Sequence, residues 1–159
     1  MNLEMLLNEY LQDPRCFKIV DRVTASQPQQ IQLDGLHGSA APFIVSAVFN
    51  HGSASQLNHL IILRDAEEAA YFHNTLENIT SALNLFYFPS SFKNKKNYRL
   101  LNASHVMLRT ECLTRFSNPL SDNRVGAIVT YPEALFEKVV LPKTLSANII
   151  SIKQGDTID

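Results

Sequence analysis

Leu57 to Ile79 reads LNHLIILRDAEEAAYFHNTLENI, and the two halves of that stretch follow different periods. The first holds the unbroken apolar run Leu60-Ile61-Ile62-Leu63, the mark of a strand covered on both faces. Asp65 then suits a helix cap, and Ala66, Ala69, Ala70, Phe72, His73, Leu76 and Ile79 spread over about four helical turns. A buried strand feeding such a helix is half of a parallel crossover.

The same alternation runs outward on both sides. Ile31 to Leu36 reads as a short strand entering a glycine turn, and Ser39 can cap a helix carrying Ala40, Phe43, Ile44, Ala47, Val48 and Phe49, ended by Asn50 to Ser53. Downstream, Leu83 to Phe88 is a second buried strand closed by Pro89, and the polar, basic Ser90 to Asn102 reads as a loop. Ala103 or Ser104 opens a long helix with Val106, Leu108, Cys112, Leu113 and Phe116 available for packing. Val125 to Tyr131 is another apolar strand, Pro132 to Phe136 a short helix, and Pro142 a break. Ala147 to Ile152 forms a last strand before the turn at Gly155-Asp156. The expected fold is α/β: a three-layer, mostly parallel sheet with helices on both faces.

Ahead of this lie two helices. Leu3, Met5, Leu6, Leu7, Tyr10 and Leu11 recur at helical spacing; Asp13-Pro14 ends that helix and starts another, with Phe17, Ile19, Val20 and Val23 on its apolar side. Thr24 to Gln30 is a linker. Residues 1–29 therefore read as an N-terminal helical extension and 30–159 as the α/β subdomain. The closing Asp156-Thr-Ile-Asp159 resembles the start of a further helix, as in a piece of a longer protein.

Composition bounds function loosely. The 159 residues are 45% hydrophobic and 18% charged, with 14 basic and 15 acidic side chains and a net charge of -1. That balance lacks the strongly basic footprint of a stand-alone nucleic-acid binder. Cys16 and Cys112 belong to no CxxC or Cys/His cluster, which suits a reduced, intracellular protein. Glu4 and Glu9 sit where a signal peptide would be basic and then apolar, so the expected location is cytoplasmic.

Gly35-Leu-His-Gly-Ser-Ala-Ala-Pro42 stands between the first expected strand and helix, where a P-loop sits in a nucleotide-binding fold. With Gly35 as the first glycine of GxxxxGK[ST], Ala40 replaces the second glycine, Ala41 the lysine and Pro42 the Ser/Thr. Nothing then neutralises the β/γ-phosphates, Mg²⁺ loses its hydroxyl ligand, and proline removes a backbone donor. The expectation is a P-loop NTPase-like fold with a degenerate loop, vestigial at Gly35, Gly38, Ser39, Ala40, Ala41 and Pro42. Gly35 and Gly38 equally suit a tight turn that binds nothing. The five histidines show no metal-ligand spacing, there is no GxSxG, and no residue set supports catalysis. Lys93, Lys95, Lys96 and Arg99 make the basic cluster, a solvated loop or a contact for a phosphate backbone or acidic partner.

The order of these motifs resembles the N-terminal UvrB-like module of the bacterial transcription-repair coupling factor family. The resemblance runs over roughly residues 30–159 through Leu33 to Phe43 (LDGLHGSAAPF), Leu60 to Ala66, Ala69, Ala70, Phe88-Pro89, Arg109, Leu113, Val129-Thr-Tyr-Pro-Glu-Ala-Leu135 and Lys153-Gln-Gly155. Ser90 to Tyr98 departs from it, being serine- and lysine-rich where the family is often acidic. The resemblance implies a first subdomain without ATPase activity. In that family the whole protein displaces stalled RNA polymerase from damaged DNA using ATP and recruits UvrA for excision repair. It also implies that ATP and Mg belong to motor domains further along, and that UvrA is met by the adjoining subdomain. Two other classes fit the residues: a nucleotide-binding enzyme domain completed by another chain, and a flavodoxin-like small-ligand module.

Overall fold

A computed structural model describes residues 2–80, 84–94, 97–117 and 126–147. Helices α1 (Leu3–Gln12) and α2 (Pro14–Val23) meet at Asp13, whose Oδ1 accepts the Arg15 N–H at 2.7 Å, while Pro14 opens the second helix without needing a donor. Helix α3 (Ala40–Phe49) leads through a 3-10 turn (Gly52–Gln56) into strand β1 (His59–Ile62) and helix α4 (Ala66–Ile79). Strand β2 (Leu85–Tyr87) is followed by a hairpin of β3 (Phe92–Asn94) and β4 (Asn97–Leu101), then by helix α5 (Ala103–Ser117). Strand β5 (Ala127–Thr130) and helices α6 (Pro132–Phe136) and α7 (Pro142–Ala147) follow.

The fold is α/β, with a small parallel sheet in the order β1-β5-β2. Across it His59 and Leu85 both face Ala127, and Ile61 and Tyr87 both face Val129. Gly126 sets this register. Its carbonyl accepts from His59, its N–H donates to Asn58 Oδ1, and a Cβ there would stand 2.6 Å from the Asn84 carbonyl oxygen. Any side chain at that point would push β2 away from β5.

The main core joins Ala69, Phe72 and Leu76 of α4 to Cys112 of α5, Val129 and Tyr131 at β5, Phe88 and Ala134. Neighbouring residues of β2 meet different helices. Tyr87 tilts against His73 of α4 with ring centroids 5.4 Å apart, and Phe86 meets Phe116 of α5 edge-on at 5.6 Å. A smaller cluster of Val20, Val48 and Ala54 fixes α2 to α3, and Tyr10 stacks on Phe43 to fix α1.

Helices α1 to α6 and the parallel pairing agree with the sequence reading. Four expectations change. Residues 31–36 form no strand among the described residues; this segment runs beside α2 rather than beside a strand. The run 60–63 is not covered on both faces: Ile61 and Leu63 pack on the core, while Leu60 and Ile62 on the opposite face are 56% and 53% exposed. The loop expected at Ser90 to Asn102 holds the hairpin, whose partners Phe92 and Leu101 lie opposite each other. Pro142 breaks the chain by starting α7, which takes in Ala147; the rest of the strand expected at 147–152, and the motif Lys153-Gln-Gly155, lie outside the described residues.

Candidate functional site

The glycine-bearing segment comes first. Gly35 and Gly38 have φ of +76° and +55°, conformations that a side chain rarely adopts, so both glycines are required by the turn itself. Helix α3 begins directly after them. Its cap residue, Ser39, makes no side-chain bond to the helix; its Oγ lies 3.5 Å from the hydroxyl of Tyr71 on α4. Ala41, at the lysine position, packs against the main core, and Pro42 is buried. The first turn of α3 thus offers packing surface where a phosphate site needs an ammonium and a hydroxyl. Ala41 and Pro42 supply neither group.

Of the basic cluster, the described residues fall on the two paired strands of the hairpin. Lys93 stands on β3 and Arg99 on β4, while Lys95 and Lys96 lie outside the described residues.

A third region was only partly visible in the sequence. At the carboxyl ends of β2 and β5, Arg109 of α5 is 4% exposed and its guanidinium lies 4.0 Å from the centroid of the Phe88 ring. Its Nη1 donates to the carbonyls of Pro89 at 2.8 Å and Ala134 at 3.0 Å, and its Nε stands 3.5 Å from Glu137 Oε1. Glu137 Oε2 accepts from the Ser91 N–H at 2.8 Å and from Ser90 Oγ at 3.0 Å. Tyr131 Oη accepts the Ser90 N–H, His105 Nδ1–H donates to the Ser90 carbonyl, and Thr130 Oγ1 donates to that of Phe88. The backbone partners lie in the segment Phe88 to Ser91 beyond β2 and, at Ala134, in α6, so the cluster clasps the strand ends to α5 and α6.

Sequence reasoning named Arg109 but missed Ser90, Ser91, His105 and Glu137. The signal was a charge on an apolar helix face: Arg109 is three residues from Val106 and Cys112 and four from Leu113. A buried arginine at such a point calls for a carboxylate.

The titrating groups point the same way. Burial pulls the Glu137 carboxyl upward, but hydrogen bonds from Ser91 and Ser90 and the Arg109 charge outweigh it and leave the pKa below its usual value. Burial pushes the Cys112 thiol up to about 11 and Tyr87 up to about 12, so both stay protonated and unreactive near neutral pH. Burial lowers His73, against a weaker upward pull from Glu77. Both cysteines are free and buried, and among the described residues no three His, Cys, Asp or Glu side chains gather as metal ligands. No described helix is long and apolar enough to cross a membrane. Comparison with protein-family models, curated proteins and solved structures finds no match to this chain.

Proposed function

We propose that this chain is a non-catalytic interaction module, the UvrB-like first subdomain of a transcription-repair coupling factor, built as a three-layer α/β unit with a degenerate P-loop. The observation that carries the non-catalytic half is the first turn of α3, where Ala41 packs on the core and Pro42 is buried. The layering is supported by handedness. From β1 through α4 to β2 the chain moves one way across the sheet, and from β2 through α5 to β5 it moves back. Right-handed crossovers in opposite directions carry their helices to opposite faces. The family half is supported by the convergence of Phe88-Pro89, Arg109 and Thr130 to Ala134, which the resemblance had linked only by order in the sequence, in one clasp.

On this reading the module works in the cytoplasm as a scaffold for the adjoining UvrA-binding subdomain. RNA polymerase and DNA are engaged by other domains, and ATP with Mg is turned over by the motor. Calorimetry with Mg·ATP tests the non-catalytic half. The chain gives no saturable heat, while the Ala40→Gly, Ala41→Lys, Pro42→Thr variant gains weak binding if the scaffold keeps the loop position. Saturable binding or ATP turnover by the unaltered chain overturns this half and moves the enzyme reading ahead. Sequencing the gene past codon 159 tests the family half: an intact GxxxxGK[ST] motor downstream supports it, and a stop codon overturns it.

A further inference from the structure

Ile31 to Leu36 is patterned as a strand and stands without one beside it. Ile31 and Leu33 alternate with Gln32 and Asp34, yet residues 26–36 make no backbone-to-backbone hydrogen bond with any described residue. A groove of about 520 Å³ lies between this segment and α2. Ile19 and Ile44 line it from the helices, Ile31, Leu33 and Leu36 from the segment, and Leu33 and Leu36 remain 45% and 38% exposed. Lys18 and Arg22, about one turn apart on α2, line the same groove, are exposed and have no acidic partner among the described residues. Arg15 is already committed, its Nη2 lying 2.6 Å from Asp13 Oδ2.

We propose that this groove is a docking site for an extended, acidic segment of a partner protein, which pairs with residues 31–34, ahead of the turn at Gly35, as a strand and sets its carboxylates against Lys18 and Arg22. Free backbone donors and acceptors along a strand-patterned stretch are what strand addition uses. Alternate residues of a strand lie about 7 Å apart, close to the rise of a helical turn, so carboxylates two positions apart reach both cations. Asp13 in the same groove is neutralised by Arg15, so Lys18 and Arg22 outweigh Asp34, and a polyphosphate is disfavoured because it has no amide groups to pair with the open backbone. The phosphate chemistry lost from the glycine turn plays no part, so the inference stands apart from the proposed function.

The test is a fluorescence-anisotropy titration with a labelled heptapeptide alternating valine and glutamate, beside its lysine counterpart. The glutamate peptide saturates in the micromolar range, weakens as salt rises, and protects alternate amides of residues 31–34 from hydrogen exchange. The Lys18→Glu/Arg22→Glu variant weakens it roughly tenfold or more, and Gln32→Pro, which removes a strand donor from an exposed position, does the same while Gln32→Ala does not. Equal binding of the two peptides overturns the inference, as does a titration that never saturates. Displacement of the peptide by single-stranded DNA, or a sedimenting dimer abolished by Gln32→Pro, overturns it in favour of a nucleic acid or a second copy.

Discussion

The strand ends around Arg109 and the glycine segment around Gly35 are both connections, and they are built in opposite ways. At the first, six side chains and the carbonyls of Phe88, Pro89, Ser90 and Ala134 bond to one another in a buried clasp that leaves Arg109 Nη2 without a partner among the described residues. At the second, eleven consecutive residues, 26–36, find no backbone partner among the described residues. A satisfied connection holds a fold in one arrangement, and an unsatisfied one on the surface keeps its groups available to something else. In this chain the position that a motif search marks as functional is packing surface, while the plain strand pattern just before it is open.

The largest effect is expected at the clasp. Arg109→Met leaves Glu137 half-buried without its cation and should cost about 3–5 kcal/mol in urea unfolding. Adding Glu137→Gln should restore part of that loss, because the uncompensated charge is gone. A single-variant loss under about 1 kcal/mol, in the range of exposed pairs, would show that the clasp is ornamental and erase the contrast.

Two glycines sharpen it next. Gly126→Ala sets a Cβ 2.6 Å from the Asn84 carbonyl between β5 and β2, and should cost about 1–3 kcal/mol as an overpacked site. Gly35→Ala meets no atom within 4 Å and carries only the strain of φ +76°, about 1 kcal/mol. Calorimetric melting of both variants ranks them; the reverse order would mean that the glycine turn, and not the sheet register, is the more constrained of the two.

Much of this contrast was legible in the sequence, but unevenly. Helix starts were, because Asp13-Pro14 and Asp65 are local signals with local causes. Parallel pairing was too, since strands separated by long helices have few other solutions. What failed depended on neighbours. The apolar run 60–63 cannot tell a strand covered on both faces from one covered on a single face, and Leu60 and Ile62 turned out exposed. The pattern at 31–36 announced a strand without announcing whether a partner exists. Glu137 was invisible as the counter-ion of Arg109 because the two are far apart in sequence and meet only after β5 pairs with β2.

Acid titration separates the clasp from the rest of the molecule. The folded-state pKa of Glu137 is depressed, so its contribution to stability is complete above the unfolded carboxyl value near 4.5 and is lost as pH falls through the lower folded value. Stability measured between pH 6 and pH 3 (roughly the window of carboxylate titration) should fall less steeply in Glu137→Gln than in the unaltered chain. An equal slope would place the acid sensitivity in other carboxylates. At the alkaline end the sign reverses: Tyr87, raised to about 12, holds its contribution below the unfolded value near 10 and loses it as pH rises through 12.

The smallest expected effect compares two helix starts. Asp65 Oδ1 accepts the Glu68 N–H at 2.9 Å, and Glu68 Oε2 accepts the N–H of Arg64, just before the cap, at 3.1 Å, so two side-chain bonds hold the start of α4. Ser39 occupies the same position on α3 and makes no such bond. Asp65→Ala should therefore lower the melting temperature by about 3 °C, and Ser39→Ala should leave it within about 1 °C. A serine kept for an anion at the start of α3 would behave differently: Ser39→Ala would change nothing in the free protein but would abolish any stabilisation by added phosphate. The packed first turn of α3 predicts no such stabilisation, so the melting curve with and without phosphate should be the same for both sequences.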